Sequence, residues 1–317
     1  MATEIGRPVR VVSLCFRDGS KSREEIASIV DAEGTLGCDL IALPESWPGH
    51  DPESLEGQTV QMMAALAKRN HTYIVCPIDR WDGERRLNSA VLLDRQGRIA
   101  CVYDKIYPYW SEFNYETPCS IGEQAPVYAA DFGRIGMAIC FDVNFPDVWR
   151  RLADQGAELV VWPSAYSAGS SLQAHAINHH YYIVTSTAAR HCMVYDVTGE
   201  RLQSERAPEL LVSRITLDLD RGIYHQNFNM ECRDLLLREQ QGAVVEDRWM
   251  EDEQWFVLRA VRPGVSARAL ARQYGLEELR DYLDRSRREI DRMRGWTFGA
   301  PENVALPGFR LSGSSHI

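Results

Sequence analysis

Three residues of different chemical type occupy equivalent places along the chain. Glu45, Lys105 and Cys140 each come just past a short apolar run with the composition of a buried strand. Residues at the C-terminal ends of strands can converge on one edge of a sheet, where α/β proteins place their sites. A carboxylate, an ammonium and a thiol gathered there suit acyl transfer. The thiolate attacks a carbonyl or nitrile carbon. The carboxylate takes the thiol proton and later protonates the leaving amine. The ammonium stabilises the oxyanion beside a backbone N–H. Taken singly, each residue has a plainer reading: Cys140 as a core thiol, Glu45 as a loop carboxylate bonded to nearby N–H groups, and Lys105 as an exposed ion pair with Asp104. Their equivalent placement favours the chemistry.

Cys140 has the most specific mount. The apolar run 135–139 reads as a strand, and Asp142, Asn144 and Pro146 follow before a helical pattern of Asp147, Val148, Trp149 and Leu152. A strand, a sharp turn and a helix fix a sulfur rigidly and expose it beside free backbone N–H groups.

The elements that must carry the three residues read as follows. Residues 9–16, 39–43 and 72–76 predict strands separated by helical stretches at 24–36 and 58–68, a β-α-β-α-β start. Two hairpins, 88–103 around Gly97 and 127–139 around Gly133, bracket a long segment, 105–126, holding Tyr107, Tyr109, Trp110, Phe113 and Tyr115. So long a connection with so many aromatics predicts a packed, functional loop. Further strands are expected at 158–162, 181–185, 193–195, 201–204 and 209–217, with a helix at 172–180. Hairpins mixed with βαβ units imply mixed sheets with helices outside. Residues 1–220 are read as one catalytic domain. Residues 221–317 are read as an extension with helices at 230–239, 267–274 and 277–293 and an irregular tail from Gly295. That extension is expected to pack on the core or on a partner subunit.

Composition narrows the function classes. The 317 residues carry a net charge of −10, which argues against a nucleic-acid surface. No apolar window is long enough to span a bilayer, and residues 1–8 lack the basic-then-apolar pattern of a secretory signal. A cytosolic protein without membrane or nucleic-acid partners is expected. The eight cysteines show no Cys-x-x-Cys pair, so reduced thiols are the default. The adjacent pair His179-His180 does not make a metal site, because neighbours on a helix point about 100° apart. No metal and no cofactor is expected.

The motifs around the three residues resemble the nitrilase superfamily of carbon–nitrogen hydrolases. The resemblance covers about residues 8–220 and rests on Leu43-Pro44-Glu45-Ser46-Trp47, Tyr103-Asp104-Lys105-Ile106-Tyr107-Pro108, Gly136-Met137-Ala138-Ile139-Cys140-Phe141-Asp142 with Phe145-Pro146, and the run from Gly156 to Ala165. It implies a four-layer α-β-β-α sandwich that dimerises or assembles further. It implies Glu45 as general base, Lys105 as catalytic lysine, Cys140 as nucleophile and the Phe141 N–H in the oxyanion hole. It also implies a second glutamate between the lysine and the cysteine. Glu116, followed by Thr117 and Gly122, fits that place; Glu112 is the other candidate. Asp142 is expected to brace the turn.

Cys-Phe-Asp resembles the amidase and carbamoylase branches, whereas nitrilases usually carry Cys-Trp-Glu. The implied reaction is therefore hydrolysis of a small amide or N-carbamoyl compound through a thioester. Nitrile hydrolysis, acyl transfer to an amine and a non-catalytic binding role are the alternatives. Carbamoylases that grip a carboxylate place arginine where this chain has Val143 and Asn144. The run His175-Ala-Ile-Asn178-His179 also departs from the family's usual Arg-Ala-x-Glu-Asn. Trp47, Tyr109, Tyr115, Asn144 and Tyr166 are the expected substrate contacts.

Overall fold

The computed structural model describes residues 4–295. The first half builds one sheet and its outer helices: β1 (Pro8–Phe16), α1 (Arg23–Gly34), β2 (Leu40–Ala42), α2 (Gln58–Asn70), β3 (Tyr73–Trp81), β4 (Arg86–Leu93) and β5 (Ile99–Asp104). The second repeats the theme: β6 (Val127–Ala130), β7 (Gly133–Met137), α3 (Pro146–Asp154), β8 (Leu159–Ser164), α4 (Ser170–His179), β9 (Tyr182–Thr187), β10 (His191–Tyr195) and β11 (Arg201–Arg206). The strand β12 (Leu210–Asp218) then returns to pair antiparallel with β1. The sheet orders are β12-β1-β2-β3-β4-β5 and β11-β10-β9-β8-β7-β6. In each, three central strands run parallel and the outer ones antiparallel.

The two sheets stack face to face. Val11, Ala42, Val75 and Leu92 of the first meet Met137, Val161, Ile183 and Val194 of the second in one buried cluster. A second cluster, including Ile26, Val30, Val60 and Met63, fills the space under α1 and α2. The central strands are buried on both faces, which is why they read as continuous apolar runs and not as alternation. The result is a four-layer α-β-β-α sandwich. Local signals set its helix starts. Ser22 and Glu25 form a reciprocal capping box on α1, and Pro146 occupies the first turn of α3.

Beyond β12 the chain is not simply helical, as the sequence suggested. It forms β13 (Gly222–His225), α5 (Met230–Glu239), β14 (Val244–Met250), β15 (Trp255–Ala260), α6 (Ala267–Gln273) and α7 (Leu279–Met293), with the strands in the order β13-β15-β14. The strands escape sequence reading because β14 carries Glu246, Asp247 and Arg248 and its register shifts between Glu246 and Arg248, which breaks the period-two signal. This unit has its own apolar core around Tyr224, Leu236, Phe256 and Leu258. It docks on the same chain through polar groups. Arg268 pairs with both Glu158 and Glu278. Asp220 accepts from the Ser266 hydroxyl and caps α6 at the Ala267 amide. Arg280 donates to the carbonyls of Ala153 and Ala157 at the end of α3. The tail expected to be irregular lies, apart from Gly295 itself, outside the described residues.

Candidate active site

Glu45, Lys105 and Cys140 come from three different strand ends and line one cavity of about 660 Å³. Glu45 follows β2 by three residues. Lys105 is the residue after β5, held by its own amide on the Asn88 carbonyl (2.8 Å) and by its carbonyl on the Gly122 amide (2.8 Å). Successive strand side chains point to opposite faces. Asp104 accordingly turns away from the cavity to pair with Arg80 and accept from Ser89, and Lys105 turns inward. The reading of Lys105 as an exposed partner of Asp104 is thereby corrected: the ammonium is 1% exposed.

The Lys105 ammonium sits between two carboxylates. It donates to Glu45 Oε1 at 2.8 Å and to Glu112 Oε2 at 2.6 Å. Asn88 Nδ2 joins the same two groups, at 2.8 Å from each Oε1. Glu45 Oε2 accepts the Ala165 amide at 2.8 Å, and Glu112 Oε2 accepts the Tyr109 amide at 2.5 Å. Burial works against the charge of Lys105, but Glu45, Cys140 and Glu112 outweigh it and raise its pKa above the ordinary lysine value. The ammonium is therefore fixed in both place and charge.

The glutamate that the structure brings to Lys105 is Glu112 and not Glu116. The short 3-10 turn Trp110–Asn114 rotates Glu112 into the cavity and caps its own start with that carboxylate. Glu116, four residues on, has left the cavity and is exposed.

Cys140 begins a second 3-10 turn, Cys140–Asn144, with φ of +45°. A left-handed conformation at a non-glycine residue costs about 1–3 kcal/mol and is held only by surrounding structure. Here that structure is Asp142, fully buried as the brace the sequence led us to expect. One of its oxygens accepts the Tyr103 hydroxyl (2.6 Å) and the Ile139 amide (2.9 Å); the other accepts the Tyr107 amide (2.9 Å). Burial pushes the Asp142 carboxyl up to about 7 against the pull of these three donors. The thiol itself is 7% exposed. Burial, and after it the charge of Glu45, pushes the Cys140 thiol well up, while Lys105 draws it down. The resting sulfur is a thiol, so attack needs a base. The neighbouring carboxylate is Glu45.

Tyr109, Tyr115, Phe141, Asn144 and Tyr166 also line the cavity, with Asp18, Ser46, His50 and Ser111 towards its polar parts. Phe141 is the second residue of the 3-10 turn, where the first amides have no partner within the turn. Trp47 does not join this group. With φ of +47° at Ser46 the chain reverses, and Trp47 is fully buried beside Phe16 under α2. Its expected role as a substrate contact is corrected accordingly. Asn88 and Ser164 were missed from the sequence. The available signal was one polar pair, Asn88-Ser89, inside the otherwise apolar run of β4. His179 packs its ring parallel to His175, and His180 lies against the Val197 carbonyl. No group of three potential metal-ligating side chains occurs among the described residues.

A fold of two stacked mixed sheets, with a thiol, an ammonium and a carboxylate at their strand ends, is that of a carbon–nitrogen hydrolase. Residues 18–222 match the Carbon-nitrogen hydrolase family, and the chain belongs to it, within the nitrilase superfamily. It is an enzyme of non-peptide C–N bonds. Deaminated glutathione amidase of Synechocystis sp. is 25% identical over 256 residues, spanning 68% of this chain and 93% of its own length. Beta-ureidopropionase of Arabidopsis thaliana is 30% identical over 159 residues, spanning 45% of this chain and 39% of the relative. A variant of the amidase of Nesterenkonia sp. AN1, solved with the acetamide moiety of fluoroacetamide added at its active-site cysteine, superposes with a TM-score of 0.57 at 18% identity over 68% of this chain and 92% of that one. No helix among the described residues is long and apolar enough to cross a membrane.

Proposed function

We propose that the protein hydrolyses a small amide or N-carbamoyl compound through a thioester on Cys140. The observation that carries this is the pairing of Lys105 with Glu45 and Glu112 in the cavity that also holds the Cys140 thiol. Glu45 takes the Cys140 proton as sulfur attacks the carbonyl carbon. The oxyanion gathers charge from the Lys105 ammonium and the Phe141 N–H. Glu45 then protonates the nitrogen, the C–N bond breaks, and ammonia or an amine leaves a thioester. Water, deprotonated by Glu45, attacks the thioester, and the acid departs as the thiol recovers its proton. Glu112 holds Lys105 and, through Asn88, holds Glu45. Tyr109, Tyr115, Asn144 and Tyr166 shape the space for the acyl or amine part. No cofactor enters the scheme. Reduced, unpaired cysteines suit the cytosol. The homodimer or larger assembly belongs to this proposal, with light scattering as its measure.

Relatives named as amidases and a ureidopropionase support the amide and ureide classes, as does Phe141-Asp142 after the nucleophile, while a relative named nitrilase, from Pyrococcus abyssi, keeps nitriles as the alternative. Ammonia release by wild type and Cys140→Ala, over primary amides, N-carbamoyl compounds and nitriles, tests the reading. Release from amides or carbamoyl compounds that vanishes in the variant is expected. Release that survives the loss of Cys140 would overturn it.

A further inference from the structure

The turn that carries Cys140 has each of its first four carbonyls held by a side chain. Trp162 Nε1 donates to the Cys140 carbonyl at 3.1 Å, Asn144 Nδ2 to Phe141 at 3.1 Å, and Trp149 Nε1 to Asp142 at 3.0 Å. The fourth contact is His175 Nε2 to the Val143 carbonyl at 2.8 Å. A carbonyl only accepts, so Nε2 carries the proton. Burial lowers the His175 pKa, which keeps the ring neutral in that tautomer. The ring lies on Trp149 at 4.3 Å with 3° between planes, and His179 lies parallel to it at 6.2 Å. Thus α4 reaches from outside the second sheet to the nucleophile turn through one hydrogen bond, and its donor is clamped by Trp149, which holds the preceding carbonyl.

We propose that His175 is a positioning residue for the oxyanion hole. By fixing the Val143 carbonyl it holds the turn whose second amide, that of Phe141, meets the oxyanion. This rests on the reading of Cys140 as the nucleophile. His175 touches neither thiol nor substrate, so its loss acts on transition-state stabilisation and leaves sulfur reactivity alone.

Two variants separate the hydrogen bond from the stacking. His175→Phe keeps a ring against Trp149 and removes the donor. His175→Gln keeps an N–H donor near the position of Nε2 and loses the ring. Two reagents separate the oxyanion hole from the nucleophile. Iodoacetamide alkylates the sulfur by displacing iodide and makes no oxyanion. A small aldehyde adds the sulfur to its carbon and the thiol proton to its oxygen, and that oxygen occupies the hole. For His175→Phe, about tenfold losses in kcat and in aldehyde affinity are expected, a fraction of the loss from removing a hole donor outright, with KM and alkylation rate within about twofold. His175→Gln should recover most of both losses. Wild-type kcat and aldehyde affinity in His175→Phe would overturn the proposal. So would equal damage in both variants with slowed alkylation, which marks a merely structural residue. A wild-type Cys140 that takes neither reagent would refute the nucleophile reading first, and this proposal with it.

Discussion

Lys105 Nζ and Glu112 Oε2 lie 2.6 Å apart in a site from which the ammonium is almost wholly withdrawn from water. In the proposed mechanism Glu112 holds Lys105 through this contact and exchanges no proton with substrate. Glu112→Gln leaves Lys105 with one carboxylate and Asn88 with an altered partner. Breaking one side of a buried pair costs about 3–5 kcal/mol when no other partner remains. Lys105 retains Glu45, so the loss should be smaller. A fall of about 100-fold in kcat/KM is expected, equivalent to ~2.7 kcal/mol. Glu116→Gln, at an exposed position outside the cavity, should stay within about twofold of wild type. Steady-state kinetics on one amide substrate compares the two, and the reverse ranking would return the second carboxylate to Glu116.

Glu45 and Lys105 push the Cys140 thiol in opposite directions, Glu45 up and Lys105 down. The carboxylate is asked both to remove the thiol proton and, by its charge, to keep that proton on at rest. Glu45→Gln should therefore abolish turnover, by about 1,000-fold or more given the usual scale of general-base and leaving-group catalysis. Its sulfur should nevertheless titrate at lower pH than in wild type. Lys105→Met should move the titration up. The pH profile of iodoacetamide alkylation, read beside turnover, checks both signs. An alkylation midpoint that rises in Glu45→Gln would contradict the electrostatic reading of the site.

What could be read from the sequence follows from how local the signal is. Cys140, Glu45 and Lys105 were legible because each sits beside its own apolar run, and strand ends in this class of fold meet at one edge. Asp142 was legible as a brace because the turn needing it lies two residues away. Glu112 was ambiguous because a 3-10 turn decides which of two glutamates faces inward, and 105–126 carries no periodicity to say so. Trp47 was misplaced because a left-handed Ser46 reverses the chain within one residue. Asn88 could not be paired with Glu45 and Glu112, since contacts 43 and 24 residues apart exist only once β4 stands between β3 and β5. His175 was visible as a departure from the family pattern, but its partner, the Val143 carbonyl, was not.

The unit formed by residues 222–295 is tied to the hydrolase sandwich by apolar contacts of Ile223, Val257 and Leu279 and by an ionic latch. Glu158, on the edge of β8, accepts from both Arg7 and Arg268, and Arg268 also pairs bidentately with Glu278. The Arg268 side chain keeps 22% of its exposure, so water screens the pairs in part. Arg268→Met would leave Glu278, itself largely buried, facing no partner as close as the lost one. A loss of about 2–3 kcal/mol in unfolding free energy is expected, below the full cost of orphaning a buried charge. Denaturant unfolding of the full chain measures it. An unchanged midpoint would mean that the apolar contacts of Leu279 and Tyr282 with the sandwich hold the unit without the ionic latch.

Charge at the cavity also sets a selectivity. Among the described residues, those lining it that can carry positive charge are Lys105, taken by two carboxylates, and His50, which stands 3.6 Å from Asp79 and 3.7 Å from Asp18. A substrate ending in a carboxylate meets no unpaired cation among these residues and does meet Asp18. For matched amides, kcat/KM should fall by about tenfold when a neutral end is replaced by a carboxylate, in line with ~1.4 kcal/mol of unfavourable interaction. The Asp79 carboxylate 3.6 Å away raises the His50 pKa, assisted by the charge of Asp18 and opposed by burial and Arg86. Below that raised pKa His50 is a cation and the mouth gains one positive charge; above it the charge is gone. Discrimination against the carboxylate end should therefore be greatest above the His50 pKa and shrink as pH falls through it. His50→Gln should keep the discrimination constant across that window. Paired kcat/KM profiles for the two amides, from about pH 6 to 9 around the ordinary histidine range, measure the effect, and a gap that widens on acidification would show that His50 does not govern it.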